Sequence, residues 1–304
     1  MSCEKILVFG ASGFLGQNLV TSFGSSERVQ EISLRNDQWK SLINPRTNIY
    51  LNLIGKAHDH QGTATREDYQ YANVKLVQEI FQAFKNSEAH LFIHISSIAA
   101  VEEFESQKPL EESAACRSVS DYGKSKKEAE EWLMSQNMPA GKKVIILRPP
   151  MIHGPGDKGN LKLLYKFISK GIPYPLLAFN NERSFLSIGN FIFFVQQIIE
   201  KSNSLASGIY HIADDESVST NEIIAVISKE TETKVSKLVL PKFLIKSMAF
   251  VGDVLPLPLN SKKLKKLTSS LTVSNHKIKQ ALNITRLPLT AKEGLAKTIK
   301  SFSE

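Results

Sequence analysis

Short apolar runs alternate with longer amphipathic runs through the first half of the chain. Residues 5–9 form a largely apolar run that ends at Gly10, and residues 14–23 fit a helix. Val29 to Leu34 and Ile49 to Ile54 are the next strand candidates, followed by a long helical stretch over residues 66–86. His90 to Ile95 predicts another strand, residues 121–136 a helix, and Val144 to Leu147 a strand that stops at Arg148-Pro149-Pro150. The run that ends at Gly10 reads as a buried strand, covered on both faces. The alternation of strand candidates with helices predicts an α/β chain built on a doubly wound parallel sheet.

The texture changes after Pro150. Gly154-Pro155-Gly156, Gly171, Pro173 and Pro175 punctuate the chain. A strand-like run at Ser184 to Ile188 precedes an apolar helix at residues 191–200, and Ile209 to Ile212 suits one more core strand. Ser219 with Glu222, and Thr290 with Glu293, are capping-box pairs that open helices. The pattern divides the chain into a sheet unit, residues 1–153 plus about 187–213, and a smaller C-terminal α/β unit, about 154–186 plus 214–304. The apolar stretch from Phe243 to Leu259 is interrupted by Lys246, Asp253, Pro256 and Pro258. It is expected to be buried helix and loop, with contact to a membrane surface as the alternative.

With 42% hydrophobic and 22% charged residues, the 304-residue chain has globular composition and can bury a sizeable core. Its net charge of +8 favours an anionic partner, whether nucleic acid, a membrane surface or a phosphate-bearing small molecule. Lys262, Lys263, Lys265 and Lys266 have no aromatic residues between them, which argues for a solvated face and against a nucleic-acid site. Cys3 and Cys116 fall in no metal-binding pattern, so no metal is expected, and such usage suits a reducing cytoplasm. The N-terminal apolar run is too short for a signal peptide. No apolar run approaches the roughly 18 residues of a spanning helix, so a cytoplasmic protein without membrane insertion is expected.

Gly10-Ala11-Ser12-Gly13-Phe14-Leu15-Gly16 follows the first strand and opens the first helix. Glycines in this spacing allow a tight turn, close approach of the backbone to a pyrophosphate, and close packing of helix on strand. The helix N-terminus adds free N–H groups and the positive end of its dipole. Gly10, Ser12, Gly13, Phe14, Leu15 and Gly16 are therefore the candidate dinucleotide-binding residues. The end of the second strand separates the two nicotinamide cofactors. Arg35 at that position favours NADP(H), while Asp37, two residues on, leaves NAD(H) open. Trp39 either covers an adenine or packs in the core.

Tyr122 and Lys126 are four apart on a predicted helix, hence on one face. An ammonium beside a phenol stabilises the phenolate and lowers its pKa from about 10, which suits proton exchange near neutral pH. Ser96 and Ser97 stand at the C-terminal end of the His90–Ile95 strand, where parallel sheets hold ligands, and either could fix a substrate oxygen.

On these residues the chain resembles the sugar-nucleotide branch of the extended short-chain dehydrogenase/reductase family, the NAD-dependent epimerase/dehydratase group, nearly end to end. The resemblance implies a Rossmann sheet with a smaller C-terminal substrate-binding domain. Ser97 and Tyr122 are 25 residues apart, the family's Ser/Thr-to-Tyr distance, which favours Ser97 over Ser96. Leu51 to His58 stand where members carry a strand and loop beside the cofactor, which implicates Leu53 and Gly55. Asn73 matches an asparagine on the following helix. Leu147-Arg148-Pro149-Pro150 and His153-Gly154-Pro155-Gly156 match the family's RPP…YGPG stretch, with His153 in place of Tyr and Pro149 at the cofactor. Asn160 and Arg183 stand where members contact the nucleotide diphosphate, Lys266 is a further candidate there, and Gly189 replaces a frequent Asp.

The resemblance assigns Ser97, Tyr122 and Lys126 the catalytic roles. Lys126 would also bind the nicotinamide ribose, and Ser97 and Tyr122 the substrate. Ile98-Ala99 after Ser97 replaces the Asp-Glu of dehydratases, which argues against dehydration. The expected activity is NADPH-dependent reduction of a UDP-linked 4-keto-6-deoxy-N-acetylhexosamine in bacterial surface polysaccharide synthesis. An NAD-dependent 4-epimerase of UDP-hexose or UDP-N-acetylhexosamine is the alternative, and a non-catalytic nucleotide sensor the second. Family members often pair through the helix carrying Tyr122, which leaves a homodimer open.

Overall fold

A computed structural model of the chain describes residues 4–24, 28–57, 63–157, 159–233, 240–255 and 259–303. Cys3, His58, Pro256 and Pro258 lie outside them. The chain runs β1 (Ile6–Phe9), α1 (Phe14–Phe23), β2 (Val29–Ile32), β3 (Ile49–Asn52), α2 (Arg66–Gln70), a π-helical turn (Tyr71–Lys75), α3 (Leu76–Lys85), β4 (Leu91–Ile95), α4 (Asp121–Ser135) and β5 (Lys143–Arg148). It continues through β6 (Met151–His153), α5 (Asn160–Ile168), β7 (Phe185–Ser187), α6 (Ile188–Glu200) and β8 (Gly208–His211). It ends with α7 (Thr220–Glu230), α8 (Lys242–Val254), α9 (Ser261–Thr268), α10 (His276–Ala281) and α11 (Ala291–Lys300).

Six strands pair in parallel in the order β2-β1-β3-β4-β5-β8. Alternate residues of each strand face opposite layers. Ile6 and Val8 of β1 join Leu19 of α1, Phe191 and Phe194 of α6 and Ile278 of α10, whereas Leu7 and Phe9 join Val77, Ile80, Phe81 and Phe84 of α3 and Leu133 of α4. Burying each of these large side chains stabilises the fold by roughly 1.5–3 kcal/mol. The chain reverses direction across the sheet between β1 and β3, so their C-terminal ends open onto the crevice where doubly wound sheets bind ligands.

The structure trims several predicted elements. β3 stops at Asn52 because the Asn52 side-chain carbonyl accepts the Ile54 N–H at 3.0 Å, diverting the backbone from the ladder. β2 stops at Ile32, and Leu34 and Arg35 lie in the following turn. The expected helix over 66–86 starts at a Thr65–Asp68 capping box and is interrupted by the π-helical turn. Trp39 packs edge-on against Phe9 at 5.6 Å in the core, which resolves its two readings in favour of packing.

β7 does not join the main sheet. It pairs with β6 in a two-stranded parallel sheet, and Ser187 caps α6 three residues earlier than predicted. Phe185, with Leu161 and Ile168 of α5, Ile223 and Ile227 of α7 and Leu295 of α11, forms a second core. α8 and α9 make a hairpin around Ile245, Ala249 and Leu264. The expectation that Phe243 to Leu259 would be buried holds only for one side of α8: Ile245, Ala249 and Gly252 are buried, and the rest of the helix is exposed.

Candidate active site

The glycine loop lies at the crevice. Gly10 has φ of +84°, and a Cβ there would approach the Leu53 backbone at 3.0 Å, so the β1 turn sits directly on the end of β3. A Cβ at Gly16 would lie 2.4 Å from the Gly10 carbonyl oxygen, which is the close packing of helix on turn anticipated for the third glycine. α1 begins after Gly13 with no side chain capping its N-terminus and no acidic residue in its first turn. Its first N–H groups thus offer an uncapped anion site, and the residues present fit a dinucleotide diphosphate. The Leu53 N–H, just past β3, donates to the Phe9 carbonyl at 3.0 Å, Gly55 follows two residues on, and Pro149 is buried at the end of β5. Arg35 and Asp37 are both exposed in the turn after β2.

Ser97 is placed by the end of β4. Ser96 N–H donates to Leu147 and Ile98 N–H to Pro149, stitching this segment to β5, and the Ser97 hydroxyl accepts the Ala99 N–H at 3.2 Å. The two serines have different partners. The Ser96 hydroxyl is buried and donates to the Glu130 carboxylate, whereas the Ser97 hydroxyl is hydrogen-bonded to the Tyr122 phenol.

Tyr122 is brought there by the start of α4. Ser120 caps the helix by accepting the Gly123 N–H, and the buried Glu103 carboxylate accepts the Val119 and Ser120 N–H groups at 3.0 and 2.8 Å. A Cβ at Gly123 would stand 2.4 Å from the Ala99 carbonyl oxygen, so glycine here lets α4 close onto the Ser97 turn. Tyr69 of α2 lines the other side of the phenol, with ring centroids 6.2 Å apart.

Lys126 is one turn further along α4 and buried, with Nζ donating to the Ile95 carbonyl at 2.9 Å. Burial pulls its ammonium down to about 8, against the field of Glu130. The phenol moves opposite to the sequence expectation. Burial raises it above its ordinary value, the Ser97 hydrogen bond only partly offsets that, and Glu103 and Tyr69 add to the rise. Lys126 donates to a backbone carbonyl, and burial sets the direction in which the phenol moves.

Asn73 lies on the π-helical turn, a feature frequent at functional sites. Its carbonyl accepts the Lys56 N–H at 2.8 Å, and its amide donates to the Lys56 carbonyl and the Ser125 hydroxyl. Asn73 thereby ties the β3 loop to α4. A Cβ at Gly55 would meet Lys126 Nζ at 2.8 Å. The loop residue expected beside the cofactor and the active-site lysine are therefore neighbours.

Behind Lys126 is a buried network that the sequence left unmarked. Glu130, one further turn along α4, receives Arg148 Nε at 2.9 Å and Nη2 at 2.5 Å, together with the Ser96 hydroxyl. Arg148 Nη1 also lies 3.5 Å from His211. The available signal was spacing: Tyr122, Lys126 and Glu130 share one helix face.

Arg183 and Lys266 come together near Glu103. The Arg183 guanidinium donates to the Lys266 and Ser269 carbonyls at 3.2 Å, and its charge is held down by burial. The Lys266 ammonium is lowered by desolvation of its head, reinforced by Arg183 and Lys262 and opposed by Glu103. Two cations so placed suit a diphosphate. Asn160 is exposed at the first residue of α5 and is not brought into hydrogen-bond contact with them.

Comparison with known proteins agrees with this geometry. The chain is 27% identical to a UDP-glucose 4-epimerase of Vibrio cholerae, over 98% of this chain and 95% of that one. It is 24% identical, over the same shares, to an N-acetyl-alpha-D-glucosaminyl-diphospho-ditrans,octacis-undecaprenol 4-epimerase of Escherichia coli O157:H7. The crystal structure of a UDP-glucuronic acid 4-epimerase from Bacillus cereus in complex with NAD has the same fold, with a TM-score of 0.76 at 17% identity over 98% and 96% of the two chains. The NAD dependent epimerase/dehydratase family model matches residues 6–213, which span the glycine loop, Ser97, Tyr122 and Lys126. A match over that much of the chain makes it an NAD(P)-dependent enzyme of the extended short-chain dehydrogenase type, and it belongs to the NAD dependent epimerase/dehydratase family.

Proposed function

We propose that the chain reduces a UDP-linked 4-keto-6-deoxy-N-acetylhexosamine at C4 with NADPH, in bacterial surface polysaccharide synthesis. The observation that carries the reductive reading is the end of β2. Ser33-Leu34-Arg35 offers no carboxylate to a ribose 2′-hydroxyl, and the exposed Arg35 suits a 2′-phosphate. The raised phenol supports it, because reduction begins from a tyrosine that still has its proton to give.

In this reading residues 1–153 with about 187–213 form the cofactor unit, and about 154–186 with 214–304 the substrate unit. Gly10, Ser12, Gly13, Phe14, Leu15 and Gly16 would hold the cofactor diphosphate and Arg35 its 2′-phosphate. Leu53, Gly55, Asn73 and Pro149 would line its nicotinamide end, with Lys126 at the ribose. The bound nicotinamide supplies hydride. Ser97 fixes the substrate oxygen, and Tyr122 donates its proton to that oxygen as negative charge develops there. Arg183 and Lys266 pair with the substrate diphosphate, and Asn160 adds a polar contact.

A second reading, NAD-dependent 4-epimerisation, is favoured by the Vibrio cholerae relative and uses the same three residues with no net reductant. The Escherichia coli relative is named for a diphosphate sugar carried by a polyprenol. The test is consumption of NADPH or NADH by the purified enzyme with the freshly made 4-keto substrate. NADPH consumption and a UDP-sugar heavier by two hydrogens support the reductase. Interconversion of hexoses without consumption, with NAD released on denaturation, overturns it in favour of the epimerase.

A further inference from the structure

Helix α8 is apolar on two opposite sides. Ile245 and Ala249 turn inward and pack with Leu176 and Leu264. Away from them, Phe243, Phe250 and Val254 are 72%, 70% and 80% exposed. These three stand at i, i+7 and i+11 of one row, Met248 and Val251 stand on the adjacent row, and Leu255 follows at the end of the helix. All six side chains are exposed. An exposed apolar patch of this kind marks a docking site.

The hairpin presents this surface on a firm base. A Cβ at Gly252 would fall 1.9 Å from the Leu259 carbonyl oxygen, so α8 and the chain entering α9 are in close contact. Asp253 accepts the Ser261 N–H and hydroxyl at 2.9 and 2.6 Å, and Asn260 caps α9 through the Lys263 N–H. The outward face of α8 follows from how the hairpin is built.

Charge identifies the occupant. Of the six lysines between residues 242 and 268, Lys265 is paired with Glu105 and Lys262 lies over the Phe104 ring, while Lys242 and Lys246 stand on α8 itself beside the exposed rows, with Asp253 the one acidic residue of that stretch. Lysines around an exposed aromatic and aliphatic face are the composition of helices that lie in an anionic lipid interface, where the stems cover apolar surface and the heads reach the phosphates. A second copy of the chain docked through the same face would set these lysines against each other. We propose that the α8–α9 hairpin docks on the surface of an anionic lipid bilayer. Because Lys266 of α9 adjoins Arg183, docking brings the candidate diphosphate-binding end of the enzyme to the membrane. The inference concerns where the protein works and does not depend on which sugar it takes.

The test is flotation of the full chain with vesicles of phosphatidylglycerol and phosphatidylethanolamine, and with phosphatidylcholine vesicles. Co-flotation with the anionic vesicles is expected, weakened by salt and roughly tenfold poorer on the neutral ones. Phe250→Glu with Val254→Glu should reduce partitioning on the order of tenfold or more, and Lys242→Glu with Lys246→Glu should remove the preference for anionic lipid. Circular dichroism checks that both variants stay folded without reference to any enzyme assay. Absence of wild-type binding to anionic vesicles, or equal binding by the Phe250→Glu/Val254→Glu variant, overturns the proposal. So does a solution oligomer that the same substitutions dissolve while vesicles capture nothing.

Discussion

Replacing Glu130 by Gln tests how the active-site lysine is supported. The Arg148–Glu130 pair is two-pronged, at 2.9 and 2.5 Å, and the two side chains are only 5% and 2% exposed. Glutamine keeps the volume of Glu130 and can still accept from Ser96, so the substitution removes charge and little else. It leaves the Arg148 guanidinium buried with only His211 at 3.5 Å and Cys116 Sγ at 3.8 Å as described neighbours in place of a counter-ion. Stranding one partner of a buried pair costs about 3–5 kcal/mol. Urea unfolding should register that loss, and Glu130→Leu with Arg148→Met should recover much of it, because an apolar pair strands no charge. The same substitution carries a functional readout. Glu130 holds the Lys126 ammonium up against burial, so its loss should shift the Lys126 limb of the pH–rate profile below about 8. A Glu130→Gln protein that unfolds within about 1 kcal/mol of wild type, with an unmoved pH profile, would refute the reasoning on both counts.

Tyr122→Phe should lower turnover by roughly 10²–10⁴-fold while cofactor affinity, measured by fluorescence titration, stays near wild type; wild-type turnover excludes Tyr122 as the proton donor. Gly123→Ala forces a Cβ to within 2.4 Å of the Ala99 carbonyl oxygen, so α4 must back away from Ser97. Turnover should fall more than substrate affinity, with about 1–3 kcal/mol of lost stability in thermal unfolding. Acid should destabilise the fold early. Burial lowers His153 and His211 to about 4 and His94 well below its ordinary value. The unfolded chain therefore binds more protons below about 6.5, and stability is lost as pH falls from there toward 4, by up to roughly 3 kcal/mol each for His153 and His211, with His94 acting in the same sense. Asp214, raised by burial to about 6, acts in the opposite sense, because its contribution is present at low pH and lost as pH rises through 6. The three histidines outweigh it, so urea midpoints should drop between about pH 7 and 5, and His153→Gln should flatten the slope; a pH-independent midpoint excludes this assignment.

Features encoded over short stretches were legible in the sequence. The spacing of Gly10, Gly13 and Gly16, the apolar run before them and the four-residue step from Tyr122 to Lys126 each lie within one turn or one helix, where periodicity translates directly into geometry. The parallel sheet followed from the alternation of elements, and its switch point from chain order. The family resemblance favoured Ser97 by its separation from Tyr122, but the partner of Ser96 is Glu130, which lies 34 residues away in sequence.

Contacts between distant segments belong to the tertiary structure alone. Glu130 meets Arg148, Asn73 clasps Lys56 and Ser125, and Glu103 holds the start of α4, each across a separation that carries no local period. The protonation of Tyr122 belongs here too. Sequence spacing puts a lysine beside the phenol, but burial and the Ile95 carbonyl determine what that lysine does. The apolar stretch at Phe243 to Leu259 makes the same point at the surface. Hydropathy is a property of residues and reveals that something must cover them; which side of α8 the protein itself covers is decided by the placement of Leu176 and Leu264, and Phe243, Phe250 and Val254 are left facing outward.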